Sequence, residues 1–428
     1  MAFTLKNISL GVAAAATQIE GGNLGHNWND WHRRGKIKDS SDPARATAHW
    51  DFWKEDADLM AGMGIRHYRL GIEWVRICPA RDTVDQDAVE HYREELTYLR
   101  AKGISPLLTI HHFTNPMWFE ETGGFTKEEN INVFLEFAAL VVRSFGDLVS
   151  EYITINEPNV YATESYYFGE WPPGETSMGR AMTVMSNMAA CHIRAYGLIH
   201  KIRKEMGFDD TRVSFAHHMR AFDPVNPANP YHRVCTRLMA RFFQGAVTSA
   251  LCRGVFKWPL KAPKGHQLKR GAYIDFIAVN YYTRTMVSGF NAGTRKGAPL
   301  NDLGWEIYPE GMLRCLREHY NVIKRPIYIT ENGTCDNTDA FRCRYIYEHL
   351  NALCRSGLPV ERYYHWCFCD NFEWAEGESA RFGLVHVDYE TQTRAVKKSG
   401  AFYRDVICAG RVTDALYEKY VKDQEYHF

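Results

Sequence analysis

An alternation that runs from one end of the chain to the other narrows the fold more than any other feature. Eight short β-rich apolar runs occupy residues 8–15, 65–72, 104–111, 151–156, 212–218, 274–281, 326–331 and 362–367, and longer stretches with helical periodicity separate them. Within 84–102, Val89, Tyr92, Leu96 and Leu99 recur at spacings of three and four, with Asp85 and Asp87 at the opening and Gly103 at the stop. Residues 178–206 and 231–251 read as longer helices. Strands that are almost continuously apolar are buried on both faces, as parallel strands joined by helical crossovers are. Eight such units close into a barrel rather than an open sheet. No Ser/Gly linker, composition break or internal repeat divides the chain. The predicted class is therefore α/β, a single (β/α)8 TIM barrel over 1–428, although 428 residues would also suit two or three ordinary domains. In such a barrel, chemistry stands at the carboxyl ends of the strands.

Composition excludes several classes of function. Lys plus Arg and Asp plus Glu each number 51, and a zero formal charge argues against a nucleic-acid partner. Residues 253–270 carry six Lys or Arg and no acid, and read as a solvated loop. No run of 18 apolar residues is present, so no membrane-spanning helix is expected. Residues 10–17 (LGVAAAAT) could pass for a signal-peptide core. Only Lys6 precedes them, however, and Gln18-Ile19-Glu20-Gly21-Gly22 follows, which suits a buried strand and turn. The eleven cysteines include no C-x-x-C pair and read mostly as buried, reduced thiols of a cytoplasmic protein. No H-E-x-x-H occurs among the histidines, and no metal site is predicted. Aromatic residues make up 14% of the chain, which fits either a bulky core or a pocket walled with rings.

Two strand ends carry carboxylates. Run 151–156 leads into Thr154-Ile155-Asn156-Glu157-Pro158, and run 326–331 into Thr330-Glu331-Asn332-Gly333. A charged group at that place faces the barrel mouth, because the strand core has no room for it. Singly, either Glu could be a salt-bridged structural residue. Together they lie across one mouth, on strands 4 and 7, and can flank a single reacting bond. Glycoside hydrolysis needs such a pair, one protonated and one ionised. Arg69, near the end of strand 2, is placed to keep one of them ionised.

These segments, 174 residues apart, resemble the two signatures of glycoside hydrolase family 1, the retaining β-glucosidase family. The resemblance extends over almost the whole chain. It includes Ala16-Thr17-Gln18-Ile19-Glu20-Gly21, Tyr68-Arg69-Leu70-Gly71-Ile72-Glu73-Trp74, His111-His112-Phe113, Val279-Asn280-Tyr281-Tyr282-Thr283, Asp370-Asn371-Phe372-Glu373-Trp374-Ala375-Glu376-Gly377 and Arg381-Phe382-Gly383-Leu384, in the family's order.

The resemblance implies a role for each. Glu157 is the general acid/base and Glu331 the nucleophile. Arg69 and Tyr282 contact Glu331. Asn156 bonds the sugar 2-hydroxyl, Gln18 and His112 the 3- and 4-hydroxyls, Glu373 the 4- and 6-hydroxyls, and the Trp374 indole the 3-hydroxyl. Trp366 forms a floor under the ring. Asn280 supports rather than touches substrate, Phe382 lines the 6-hydroxymethyl side or merely packs, and His111 is a core histidine.

Departures from the family pattern sharpen the expectation. His112-Phe113-Thr114-Asn115-Pro116 lacks the Asp-Leu-Pro common after the His, which bears on pocket shape. Glu373, Ala380 and Phe382 stand where members acting on 6-phosphorylated sugars carry Ser, Lys and Tyr, and a carboxylate at 373 would repel a 6-phosphate. Glu157 is not the Gln of thioglucosidases. The expectation is an exo-β-glycosidase without metal or cofactor, acting on small β-glycosides or β-linked oligosaccharides. Its preference would be for β-glucosides, with side activity on β-galactosides and β-fucosides. Rival readings are β-galactosidase or β-fucosidase as the main activity, use of the same chemistry for transglycosylation, and a non-catalytic sugar-binding barrel. The leaving group is left to Tyr161 and to residues 166–171 and 290–305. A homo-oligomer is compatible with the sequence.

Overall fold

The apolar runs pair side by side and close on themselves. The computed structural model, which describes residues 2–428, has eight parallel strands: β1 (Ser9–Ala13), β2 (His67–Gly71), β3 (Ser105–His111), β4 (Glu151–Asn156), β5 (Arg212–Pro224), β6 (Ile277–Ser288), β7 (Ile327–Asn332) and β8 (Val360–Trp366). Each pairs with its neighbours in sequence, and β8 returns to β1, with Leu10 opposite Tyr363 and Ala13 opposite Trp366. Around them stand α1 (His49–Gly62), α2 (Gln86–Ala101), α3 (Asn130–Phe145), α4 (Met178–Glu205), α5 (Pro230–Ala240), α6 (Pro309–Val322), α7 (Arg342–Arg355) and α8 (Lys398–Ala409). This is the (β/α)8 barrel that the alternation predicts.

Local signals set the boundaries. The Asp85 carboxylate accepts from the Ala88 N–H (3.0 Å) and caps α2. The helix buries Val89, Tyr92, Leu96 and Leu99 and ends before Gly103, which takes φ +74°. Where expectation and structure differ, tertiary pairing decides. β1 stops at Ala13, and Ala16–Ile19 turns helical, so Gln18 sits on a helical turn. β5 and β6 run past their predicted ends because they continue to pair beyond the rim, as at Phe222 opposite Thr285. The helix expected over 231–251 is interrupted by a π turn at Arg241–Gly245 before Ala246–Arg253.

Charge also fastens the layers. His49 of α1 lies between Asp56 (2.7 Å) and Glu95 of α2 (3.0 Å), and Arg394 donates to Asp56 (2.9 Å). Burial opposes an imidazolium there, but the two carboxylates outweigh it and push the pKa up to about 10. All eleven cysteines are free thiols and ten are buried. No helix among the described residues is long and apolar enough to cross a membrane.

Candidate active site

At the carboxyl ends of the strands a cavity of about 260 Å3 opens, lined by both Glu157 and Glu331. The chain turns sharply to place the first. Asn156 ends β4, and Glu157 takes φ +41°, a left-handed conformation that a residue with a side chain rarely adopts. Pro158 then opens a short helix, Pro158–Thr163, where its fixed φ is already suitable. Glu331 is the penultimate residue of β7.

Glu331 has a donor on each oxygen. The Arg69 guanidinium bonds Oε1, and the Tyr282 hydroxyl donates to Oε2 (2.6 Å). Arg69 is fully buried and also donates to Asn156 Oδ1 (2.7 Å) and Thr109 Oγ1 (3.1 Å). Burial raises the Glu331 carboxyl above its usual range. Arg69 pulls against that, and the Glu157 carboxylate pushes it up again. Two buried carboxylates lining one cavity repel, so the pair holds a proton more tightly than either would alone.

The two carboxyl groups differ in their hydrogen bonds. Arg220 Nε donates to His218 Nε2 (3.0 Å), so the His218 ring proton is on Nδ1. Nδ1 faces Glu157 Oε1 at 3.1 Å and donates to it, and Asn280 Nδ2 donates to the same oxygen at 2.7 Å. Burial holds His218 below its usual range, and a neutral ring gives Glu157 a hydrogen bond but no balancing charge. Glu331 has a permanent cation and two donors, whereas Glu157 Oε2 is left open. Of the two carboxyl groups, only Glu157 has an oxygen, Oε2, without a protein donor.

The residues expected to hold a sugar converge on the same place, in two tiers. His112, Tyr282, Trp366, Glu373, Trp374 and Phe382 line the cavity. Gln18, Arg69, Asn156 and Asn280 are fully buried behind them. Asn156 has both ends of its amide engaged: Oδ1 accepts from Arg69 and Asn280, and Nδ2 donates to His112 Nε2 (2.9 Å). That fixes the His112 proton on Nδ1, which has no protein partner. Gln18 Nε2 donates to Glu373 Oε2 (3.1 Å) and Asn371 Oδ1 (3.2 Å), while its Oε1 is unpartnered. Burial, opposed by hydrogen bonds from Trp366 and Gln18, pushes Glu373 up to about 8. Asn280 also accepts from Thr330 Oγ1 (2.7 Å), which makes it a brace between β4 and β7. His111 lies away from the cavity, bonded to Asn115 Oδ1 (2.9 Å).

The loop after β8 is shaped by a turn. The Glu373 N–H donates to the Gly377 carbonyl (2.7 Å), and the Asp39 carboxylate accepts from the Glu378 and Ser379 N–H groups. Gly377 takes φ +70°, and a Cβ there would collide with the Asp39 carboxylate.

Sequence reading missed His218, Glu164 and Arg220, all of which line the cavity. A signal was present for two of them. His218 and Arg220 stand two apart where the apolar run 212–218 gives out, and both side chains line the cavity at the barrel mouth. Among the described residues no group of three or more His, Cys, Asp or Glu converges to hold a metal ion.

Known proteins share this fold and much of this sequence. The glycosyl hydrolase family 1 profile matches residues 4–411. The chain is 30% identical to β-glucosidase A of Thermotoga maritima, over 93% of this chain and 96% of that one. It is also 30% identical to a β-galactosidase of Saccharolobus solfataricus, over 87% and 86% respectively. Its fold superposes on a β-glycosidase from Pyrococcus horikoshii with a TM-score of 0.89 at 31% identity, covering 98% of both chains. With the barrel and nearly the full length of sequence in common, the chain is a glycoside hydrolase and belongs to glycosyl hydrolase family 1.

Proposed function

We propose that this enzyme is a retaining exo-β-glycosidase that removes terminal β-D-glucosyl residues, with side activity on β-galactosides and β-fucosides. One observation carries the reading: Glu331 is clasped by Arg69 and Tyr282, while Glu157 has Oε1 taken by two donors and Oε2 open. Glu331 attacks the anomeric carbon as the glycosidic bond breaks, and the proton on Glu157 Oε2 passes to the leaving oxygen. Glu157, now ionised, takes a proton from water, which attacks the same carbon and releases Glu331. Two inversions retain the β configuration.

The unpartnered His112 Nδ1–H and Gln18 Oε1 are a donor and an acceptor that sugar hydroxyls would satisfy. Glu373 serves the 4- and 6-hydroxyls. Trp366 supports the ring, Trp374 bonds the 3-hydroxyl, and Phe382 closes the 6-hydroxymethyl side. Asn156 reaches the 2-hydroxyl by exchanging its bond to His112. All these roles fall within one barrel, which we take as a single unit over 1–428 that needs no cofactor. Eleven free thiols support a cytoplasmic site.

The test is Glu331→Ala on 4-nitrophenyl β-glucoside. Turnover falls by several orders of magnitude while the thermal transition persists, and the first sugar released by wild type is the β anomer. Near-normal turnover in the variant would sink the assignment.

A further inference from the structure

The basic segment 253–270 is one end of a longer one-sided stretch. Residues 224–274 hold nine Lys or Arg and no Asp or Glu, so the remaining residues carry nine more acids than Lys and Arg. Among the described residues none of the nine makes an ion pair. Exposed apolar side chains gather in the same place. Among the described residues seven large ones are more than half exposed, and five of these, Val225, Tyr231, Val234, Trp258 and Phe290, belong to this stretch or to the hairpin beside it.

Helix α5 joins the two features. Arg233 and Arg237 stand one turn apart on it, Arg241 follows at its carboxyl end, and Tyr231 and Val234 lie among them. At the start of α5 the Tyr231 ring lies against Gly289, next to Phe290 at the tip of the hairpin that β6 forms with Asn291–Gly293. At its end Arg241 Nε donates to the Trp258 carbonyl (2.8 Å), and the Phe242 and Trp258 ring centroids are 4.9 Å apart. Beside Trp258 a groove of about 630 Å3 is lined by Met178, Met182, Lys261 and Lys264. Asp223, just before the stretch, is held by Arg314 (2.8 Å) and Arg284 (3.4 Å), and Glu128, in the groove, accepts from the Gly265 N–H (3.4 Å).

Unpaired cations interleaved with exposed rings and aliphatic side chains fit an anionic bilayer. Lys and Arg lie over its phosphates, and aromatic rings settle at the headgroup boundary, where apolar area leaves water. A nucleic acid would use the cations and stack on the rings, but it gains nothing from Val225 and Val234. The negative remainder of the chain turns this face toward an anionic surface. We propose that α5, residues 253–270 and the tip of the hairpin form a docking face for an anionic lipid bilayer, which the enzyme engages from one side. Such a contact needs no membrane-spanning helix. The catalytic cavity is separate from the face, because Phe243 of the same π turn packs inward against His218 (ring centroids 5.7 Å).

The test is co-sedimentation of the full chain with vesicles of phosphatidylcholine alone or of equal parts phosphatidylcholine and phosphatidylglycerol. Wild type is expected on the mixed vesicles only, and raising salt from about 0.05 to about 0.5 M should release it. The pair Arg233→Gln and Arg237→Gln should weaken binding about tenfold or more, and so should the pair Trp258→Ala and Phe290→Ser. In both, kcat/KM on soluble 4-nitrophenyl β-glucoside and the melting temperature should stay at wild-type values. The pair Lys36→Gln and Lys54→Gln, exposed elsewhere, should bind as wild type does. No sedimentation with the mixed vesicles, equal sedimentation with both kinds, or an equal loss in the Lys pair would overturn the proposal. Capture by duplex DNA without capture by vesicles would also overturn it and give the face to a nucleic acid.

Discussion

Tyr282→Phe keeps the ring that lines the cavity and removes a single group, the hydroxyl that donates to Glu331 Oε2 at 2.6 Å. A hydrogen bond to a buried charged group contributes about 1.5–3 kcal/mol. Losing it destabilises ionised Glu331 against its neutral form, and at about 1.36 kcal/mol per pH unit this raises the carboxyl pKa by about one to two. The sign is unambiguous. Burial and the Glu157 carboxylate already push Glu331 up, and Arg69 and Tyr282 hold it down, so removing Tyr282 pushes it further up. Attack requires the ionised form. The acid limb of kcat/KM against pH therefore moves to higher pH by about one to two units. Below the limb, activity is about tenfold lower for each pH unit that the limb has moved. The basic limb, which reports loss of the Glu157 proton, moves less. The assay is kcat/KM on 4-nitrophenyl β-glucoside across about pH 4–9, with a melting curve at each pH. An acid limb that stays in place or moves down, in a variant that melts like wild type, would refute the view that Tyr282 keeps Glu331 ionised.

Asn280→Ala removes a donor from Glu157 Oε1 and leaves Thr330 Oγ1 without its acceptor. The Glu157 anion is then less favoured, so the basic limb moves up by about one pH unit, and stability falls by about 1–3 kcal/mol in urea unfolding. His49→Gln leaves Glu95 and Asp56 buried without the imidazolium and costs about 3–5 kcal/mol. Because the folded pKa of about 10 lies above the unfolded value of 6.5, the His49 contribution is full below about pH 6.5 and fades as pH rises through about 10. The gap in urea midpoint between wild type and variant should narrow over that range, and a constant gap would count against the ion cluster.

Much of the barrel was legible because two-sided burial leaves an unbroken apolar run, and because a carboxylate after such a run can only be at its mouth. Glu157, Glu331 and Arg69 were found that way, and the family resemblance added the contact of Arg69 and Tyr282 with Glu331. The strand ends were less legible. β5 and β6 continue past the rim because they pair with each other there, and pairing between segments some 60 residues apart leaves no mark on the period of either. Gln18 was expected just after the first strand; it stands there on a helical turn, where it reaches Glu373 across 355 positions of sequence.

The sequence alone determined which residue types stand at each strand end, and with them the pair of carboxylates. Only the tertiary structure decided which donors each carboxylate meets. Both are Glu at the ends of apolar strands with Asn beside them, and nothing local separates them. The difference comes from donors brought in by other strands: Arg69 from β2 and Tyr282 from β6 to Glu331, and His218 from β5 and Asn280 from β6 to Glu157. Proton affinity in a buried site follows the charges and hydrogen bonds within a few ångströms, and barrel closure alone sets those neighbours.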